Sequence, residues 1–290
     1  MTEQALSTRL APEQSVQVRG ATLRAVLIIW YRDLLRMARD RPRIIISLAQ
    51  PLLYLLIFGT GLSSSLRGST AGFGGGLNYQ QFMFPGVIGM AVLFTSIFGA
   101  MSILWDREFG FLKEVLVAPI NRSAVAVGKT LGSTTQAMLQ GVIILALAPV
   151  VGVQLTVAGV LELLPMIFVL SFALSALGVA VASRMRSLQA FQMVMNFLMM
   201  PIFFLAGALF PLSNLPGWMT VLTRLDPATY GIDPIRRASL GASGVPHAVL
   251  DRFGITILGQ TLSLWTEELI LAGFALLMLA AAVRGFRQRD

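Results

Sequence analysis

The chain has 290 residues, 56% hydrophobic and 12% charged, with a formal net charge of +8 and no cysteine. That balance leaves no polar stretch long enough for a soluble enzyme domain, and the missing thiols exclude disulfides and thiolate metal sites. The basic residues flank apolar runs rather than forming one face, so nucleic acid is not expected as a partner.

Residues 1–20 read as a disordered tail. Over 21–41, Leu23, Val26, Leu27, Trp30, Leu34 and Met37 recur at helical spacing, with Arg24, Arg32, Arg36 and Arg39 mostly elsewhere. This predicts an amphipathic helix in the membrane interface, anchored by Trp30 and the arginines. Asp40-Arg41-Pro42-Arg43 then leads into the first of six apolar stretches, with the proline placed where a helix starts.

The six stretches are Ile44–Leu62, Pro85–Trp105, Leu131–Val151, Leu164–Ala182, Leu188–Phe210 and Leu269–Val283, the last extended by a few preceding residues. Most reach the roughly 20 residues that cross a hydrocarbon core. Lys and Arg number 8 in residues 1–43, 4 in 106–130, 2 at Arg184/Arg186 and 3 in the C-terminal tail, against 5 in the other three connections. Seventeen against five places both termini in the cytoplasm by the positive-inside rule. The fold expected is an all-α integral membrane domain of six transmembrane helices. A composition rich in Arg, Ala and Gly suggests a bacterial source, and hence a multi-pass protein of the bacterial plasma (inner) membrane.

The connections differ in character. Segment 63–84, with its serine and glycine runs, reads as a flexible external loop. Segment 211–268 carries apolar clusters of its own, such as Leu215-Pro216-Gly217-Trp218-Met219, and reads as short helices that re-enter the outer leaflet. His247, the one histidine, lies in that loop and is given no metal or acid–base role.

Within these boundaries no span holds Asp, Glu, Lys, Arg or His. Intramembrane charges usually mark ion or proton pathways, so a proton-coupled antiporter or a charged channel filter is not expected. No internal repeat relates the two halves, which weakens the inverted-repeat transporters. Gln136/Gln140, and Gln189/Gln192/Asn196, each fall on one helix face. Helix–helix hydrogen bonding accounts for them. The alternative is a path for an amphipathic substrate, with Met193, Met199, Met200 and Phe203 nearby.

The most specific stretch runs from Asp106 through Arg107, Glu108, Phe109, Gly110, Phe111, Leu112, Glu114 and Leu116 to Pro119 and Arg122. It reads as a short cytoplasmic helix with an apolar face, ended by Pro119, that joins spans 2 and 3. Gly128-Lys129-Thr130 is not a phosphate loop, since that motif needs glycine where this chain has Ser123. No catalytic residue and no metal ligand is identified.

The stretch Arg107-Glu108-Phe109-Gly110 through Leu116-Val117-Ala118-Pro119, with Gly128-Lys129, resembles the cytoplasmic signature of the type 2 ABC-transporter permeases. Phe191–Asn196, Pro201, Ala206–Pro211, Asp226–Tyr230 and Asp233–Arg236 are similar as well, especially to the daunorubicin-resistance-like drug export permeases of actinobacteria. The resemblance covers nearly all the chain past residue 20. It implies a permease that pairs with a second copy or paralogue and binds two copies of a separate ABC ATPase, which would hold ATP and magnesium; this chain would hold no cofactor. The ATPase would meet Arg107, Glu108, Phe109, Gly110, Phe111, Leu112, Glu114, Leu116 and Pro119. It also implies a path between protomers along spans 2 and 5, on which Phe94, Phe98 and Met101 face Gln192, Asn196, Met199 and Phe203. The function expected is export of a hydrophobic drug, antibiotic or lipid-like substrate, as in multidrug efflux. The alternative within transport is a glycan-linked lipid or polysaccharide. A membrane enzyme lacks a cluster of Asp, His or Glu at a membrane edge, and a non-transporting anchor would have no use for the signature.

Overall fold

The computed structural model describes residues 13–66, 78–109, 121–212, 215–251, 253–257 and 260–287. The long helices are α1 (Glu13–Arg39), α2 (Arg41–Leu66), α3 (Tyr79–Ala100), α5 (Arg122–Leu145), α6 (Val157–Arg184), α7 (Leu188–Leu205) and α11 (Leu264–Arg287). Between them lie α4 (Ser102–Glu108), a 3₁₀ turn at Ala148–Val151, and the shorter α8 (Gly217–Leu225), α9 (Thr229–Ala242) and α10 (His247–Leu250). A two-stranded antiparallel ladder, β1 (Thr256–Ile257) with β2 (Gln260–Thr261), interrupts the otherwise helical chain. That ladder was not expected from the sequence.

Local chemistry sets the helix starts. Asn121 accepts from the Ser123 N–H, Thr156 from Gly159 and Ser187 from Ala190, each covering a donor that the first turn leaves unpaired. Helix α1 starts at Glu13, ahead of the Ala21 expected, and Asp40 alone separates it from α2. Pro51 and Pro201 lie inside α2 and α7, while Pro149 sits in the 3₁₀ turn that follows α5.

Among the described residues, five stretches are long and apolar enough to cross a membrane: Ile44–Gly61, Tyr79–Glu108, Val157–Arg184, Leu188–Leu205 and Leu264–Arg287. The expected third span falls in α5, which has the length but not the apolarity. It begins at Arg122 and carries Lys129, Thr130, Ser133, Thr134, Gln136 and Gln140. Its polar groups are enclosed by α1, α3, α6 and α11, which all pack on it. Helices α3, α5 and α6 form the centre, with α11 against α6 and α5, α2 and α7 against α3, and α1 against α5.

Small residues let these helices approach closely, as membrane packing requires. A Cβ on Gly178 of α6 would stand 3.0 Å from the Ala100 Cβ of α3. A Cβ on Gly86 would stand 2.2 Å from the Ala208 carbonyl oxygen, so the 206–208 backbone crosses α3 where glycine leaves room. Gly207 in that crossing has φ +70, a left-handed conformation that glycine adopts without a Cβ clash.

The two ends of the bundle differ. The basic end gathers α1, α4, the Arg184–Leu188 turn and the last turn of α11 with Arg284 and Arg287. The opposite end is closed by α8, α9 and α10, the ladder and the 3₁₀ turn. It is stitched by Tyr79 Oη donating to the Leu209 carbonyl at 2.9 Å and Gln81 Nε2 to that of Gly152 at 2.8 Å. Short helices were expected in 211–268. One of them, α9, is buried through Leu240 against α3, α6 and α11.

Candidate functional site

At the basic end α1 lies along α5 rather than standing apart from it. Ala25 and Val26 pack with Ala124, and Ile29 covers Gly128. Trp30, expected as an interface anchor, instead donates its Nε1 proton to Thr135 Oγ1 at 3.0 Å. Asp33 follows on the same buried stripe and accepts from Lys129 Nζ at 3.0 Å. The ammonium also pairs with Asp106 Oδ2 at 2.6 Å and donates to Ser102 Oγ at 3.2 Å. Lys129 is only 2% exposed.

Two arginines of α1 close the network: Arg32 onto Asp106, and Arg36 onto Asp106 at 3.4 Å with its guanidinium 5.8 Å from the Trp105 ring. Three cations thus meet two carboxylates contributed by α1, α4 and α5. A buried charge is tolerable when paired and hydrogen-bonded, and removing one partner of such a pair costs about 3–5 kcal/mol. Lys129 and Asp106 lie inside helices, so charge sits within the bundle although the boundaries drawn from sequence excluded it. The groups satisfy one another, and so make a joint between three elements.

The expected signature grows out of this joint. Arg107 Nη1 donates to the Met185 carbonyl, and Glu108 Oε1 accepts from the Leu188 N–H at 3.3 Å, so both grip the turn between α6 and α7. Glu108 therefore also covers a free donor at the start of α7. Phe109 is 80% exposed. Gly110, Phe111, Leu112, Glu114, Leu116 and Pro119 lie outside the described residues. The chain returns at Asn121, the cap of α5. The described roots of the 106–122 connection are thereby tied to α1, α5, α6 and α7 together.

The expected pathway residues divide into two groups. Phe94 and Phe98 line an open cavity of about 530 Å³ bordered by α1, α2, α3 and α5. Met101 is buried in the turn between α3 and α4, and Met199 and Phe203 are buried on α7, where Phe203 meets Tyr54 of α2 edge-on. Gln192 and Asn196 lie on the exposed face of α7, with Met193, Phe197 and Met200. The amides of α5 are used internally: Gln136 donates to the Asp33 carbonyl at 3.4 Å, and Gln140 accepts from Ser47 at 3.3 Å.

At the opposite end a second charged cluster escaped the sequence reading. Arg237 pairs with Asp233 at 3.0 Å and with Glu267 of α11, and it donates to the Leu262 carbonyl at 2.9 Å. Arg236, wholly buried, lies 4.3 Å over the Phe82 ring and donates to the Gly207 carbonyl. Two cations balance two carboxylates here and fasten α9 to α3 and α11. Among the described residues no group of three or more His, Asp and Glu side chains is placed to hold a metal.

Comparison with known proteins gives a family match and several relatives. The family described as ABC-2 type transporter matches residues 24–240. The chain is 28% identical over 233 residues to the ycf38 protein of Cyanophora paradoxa, covering 79% of each. It is 29% identical over 206 residues to nodulation protein J of Rhizobium leguminosarum bv. trifolii, covering 70% of this chain and 74% of that one. It is 27% identical over 211 residues to the inner membrane transport permease YadH of Escherichia coli K12, covering 71% and 77%.

Proposed function

The chain belongs to the ABC-2 type transporter family, and from that premise we propose that it is the membrane-spanning permease subunit of an ATP-driven exporter. Two permeases, or this chain with a paralogue, would work with two copies of a separate ABC ATPase in the bacterial inner membrane. The basic end would face the cytoplasm, with α5 as a sixth span packed against α3, α6 and α11.

The observation that carries this reading is the joint at Lys129. ATPase closure pressing on 106–122 would act on roots that Asp106, Arg107 and Glu108 tie to α1, α5 and the α6–α7 turn. Because these elements share buried charge, they would move as one block and re-aim α7 and α3 against the second protomer. The permease needs no chemistry of its own on this reading; it converts a push into a change of access.

The cargo proposed is hydrophobic: a drug, antibiotic or lipid-like molecule taken from the cytoplasm or inner leaflet. Support comes from the Phe94 and Phe98 cavity and from the exposed methionines and Phe197 on α7, surfaces that adapt to varied apolar shapes. Co-expression with the ABC ATPase encoded beside its gene tests assembly directly. Native mass spectrometry is expected to show two permeases with two ATPases, and replacing 110–120 by a glycine–serine linker is expected to release the ATPases while the permease stays folded. An ATPase that never binds, or that binds equally without 110–120, contradicts the proposal.

A further inference from the structure

Helix α1 has two faces of opposite use. Ala25, Val26, Ile29 and Asp33 lie on α5, while Arg24, Ile28, Tyr31, Leu35 and Arg39 recur at helical spacing along the side turned away from it. The apolar members of that stripe are uncovered: Ile28 is 66% exposed, Tyr31 59% and Leu35 39%. Arg24 and Arg39 bracket them and are exposed as well. Among the described residues neither arginine has a hydrogen bond or an ion pair, whereas Asp33, Asp106 and Glu108 at the same end of the bundle are all engaged.

Neither water nor hydrocarbon alone suits such a stripe. Water disfavours large apolar side chains set side by side, and hydrocarbon disfavours an arginine at each end. The boundary between them satisfies both, because apolar side chains enter the acyl region while arginines reach back along their own stems to phosphate. The depth agrees: Asp40 alone separates α1 from α2, whose membrane-crossing stretch opens at Ile44. Tyr31, with its apolar ring and polar tip, takes the anchoring part expected of Trp30, which is turned inward to Thr135.

We propose that this face of α1 is a binding surface for anionic phospholipid, with Ile28, Tyr31 and Leu35 in the acyl region and Arg24 and Arg39 each on a headgroup phosphate. A zwitterionic lipid offers the same phosphate but cancels its charge with an ammonium, so the arginines select headgroups of net negative charge. Asp33 leaves the opposite face of the same helix for Lys129, so lipid holds one side of α1 while the joint holds the other. The surface goes beyond the transport reading, because binding is measured on the permease without an ATPase, so either claim can fail while the other stands.

The test uses the full chain, which has no native cysteine, with Tyr31→Cys carrying a fluorophore. It is placed in nanodiscs of phosphatidylcholine and phosphatidylglycerol in equal parts, one or the other brominated on its acyl chains as a quencher. Brominated phosphatidylglycerol is expected to associate with the label about fivefold more strongly than brominated phosphatidylcholine, the preference of one arginine near an anionic surface. High salt is expected to weaken that preference. Arg24→Gln with Arg39→Gln is expected to erase it while both lipids still quench and the melting temperature holds, since neither arginine supports another residue. Equal association of the two lipids with the wild type, or a preference that survives in the double variant, overturns the proposal. So does quenching by aqueous iodide in place of lipid, or by neither, the mark of a second copy or another protein covering this face.

Discussion

At the scale of single residues, Lys129 decides the most. Replacing it with Met leaves buried Asp33 only a 3.4 Å contact with Arg32, so Lys129→Met is expected to lose up to about 3–5 kcal/mol of stability, read as a lower melting temperature in detergent. Adding Asp33→Asn is expected to recover most of that loss, because an amide needs no counter-charge while Asp106 keeps Arg32 and Arg36. Gly86→Ala drives a Cβ into a backbone oxygen that cannot rotate away, at an expected cost of about 1–3 kcal/mol in the same melt. Asp226, outside the spans, has its carboxyl pushed up to about 8 by burial, against the pull of its bond from the Ala228 N–H. The folded chain thus keeps a proton that the unfolded chain loses above its ordinary value of 3.8. This contribution is full below that value and is lost as pH rises through 8. The melting temperature is expected to fall between pH 5 and pH 9, and to fall less in Asp226→Asn.

At the scale of elements, the account requires α1 and α5 to move together. The chain has no native cysteine, so a single engineered pair reports cleanly. A Cβ built on Gly128 lies 3.0 Å from that of Ile29, close to disulfide range. Oxidised Ile29→Cys/Gly128→Cys is expected to retain coupled ATP hydrolysis, and loss of coupling reversed by reductant would show that the two helices slide. Elements were legible in the sequence where one local signal was enough. Apolar length marked α2, α3, α6, α7 and α11, and an apolar cluster opened by proline and glycine marked the short helix α8, whereas α9 carried no such mark. Span 3 was legible only in its apolar half, since the stretch from Arg122 to Thr130 reads as a connection until its partners are known. The joint was not legible, because Asp33 and Lys129 are 96 residues apart and periodicity carries no pairing information. One signal did exist: Asp33 falls in helical phase with Val26, Ile29 and Trp30, and a carboxylate on an apolar stripe calls for a buried cation. The Asp233–Arg237–Glu267 cluster carried less warning, as its members read as ordinary loop charges.

At the scale of the whole molecule, the exposed face of α7 is where the proposed second protomer would pack. Gln192, Asn196 and Phe197 are exposed there although the helix is apolar enough to span a bilayer. Phe197→Cys, in membranes under mild oxidation, is expected to give disulfide-linked dimers, whereas Leu277→Cys on the exposed face of α11 is expected to stay monomeric on a denaturing gel. The central claim is that the roots of the 106–122 connection transmit an ATPase's work into the bundle. Its most direct test is cargo-stimulated ATP hydrolysis by the purified permease–ATPase complex in liposomes, wild type against Arg107→Ala/Glu108→Ala, across a panel of lipophilic drugs and lipids. The variant is expected to assemble and to hydrolyse ATP at its basal rate but to lose stimulation by cargo; an assembled variant stimulated as strongly as the wild type would contradict a transmitting role for Arg107 and Glu108.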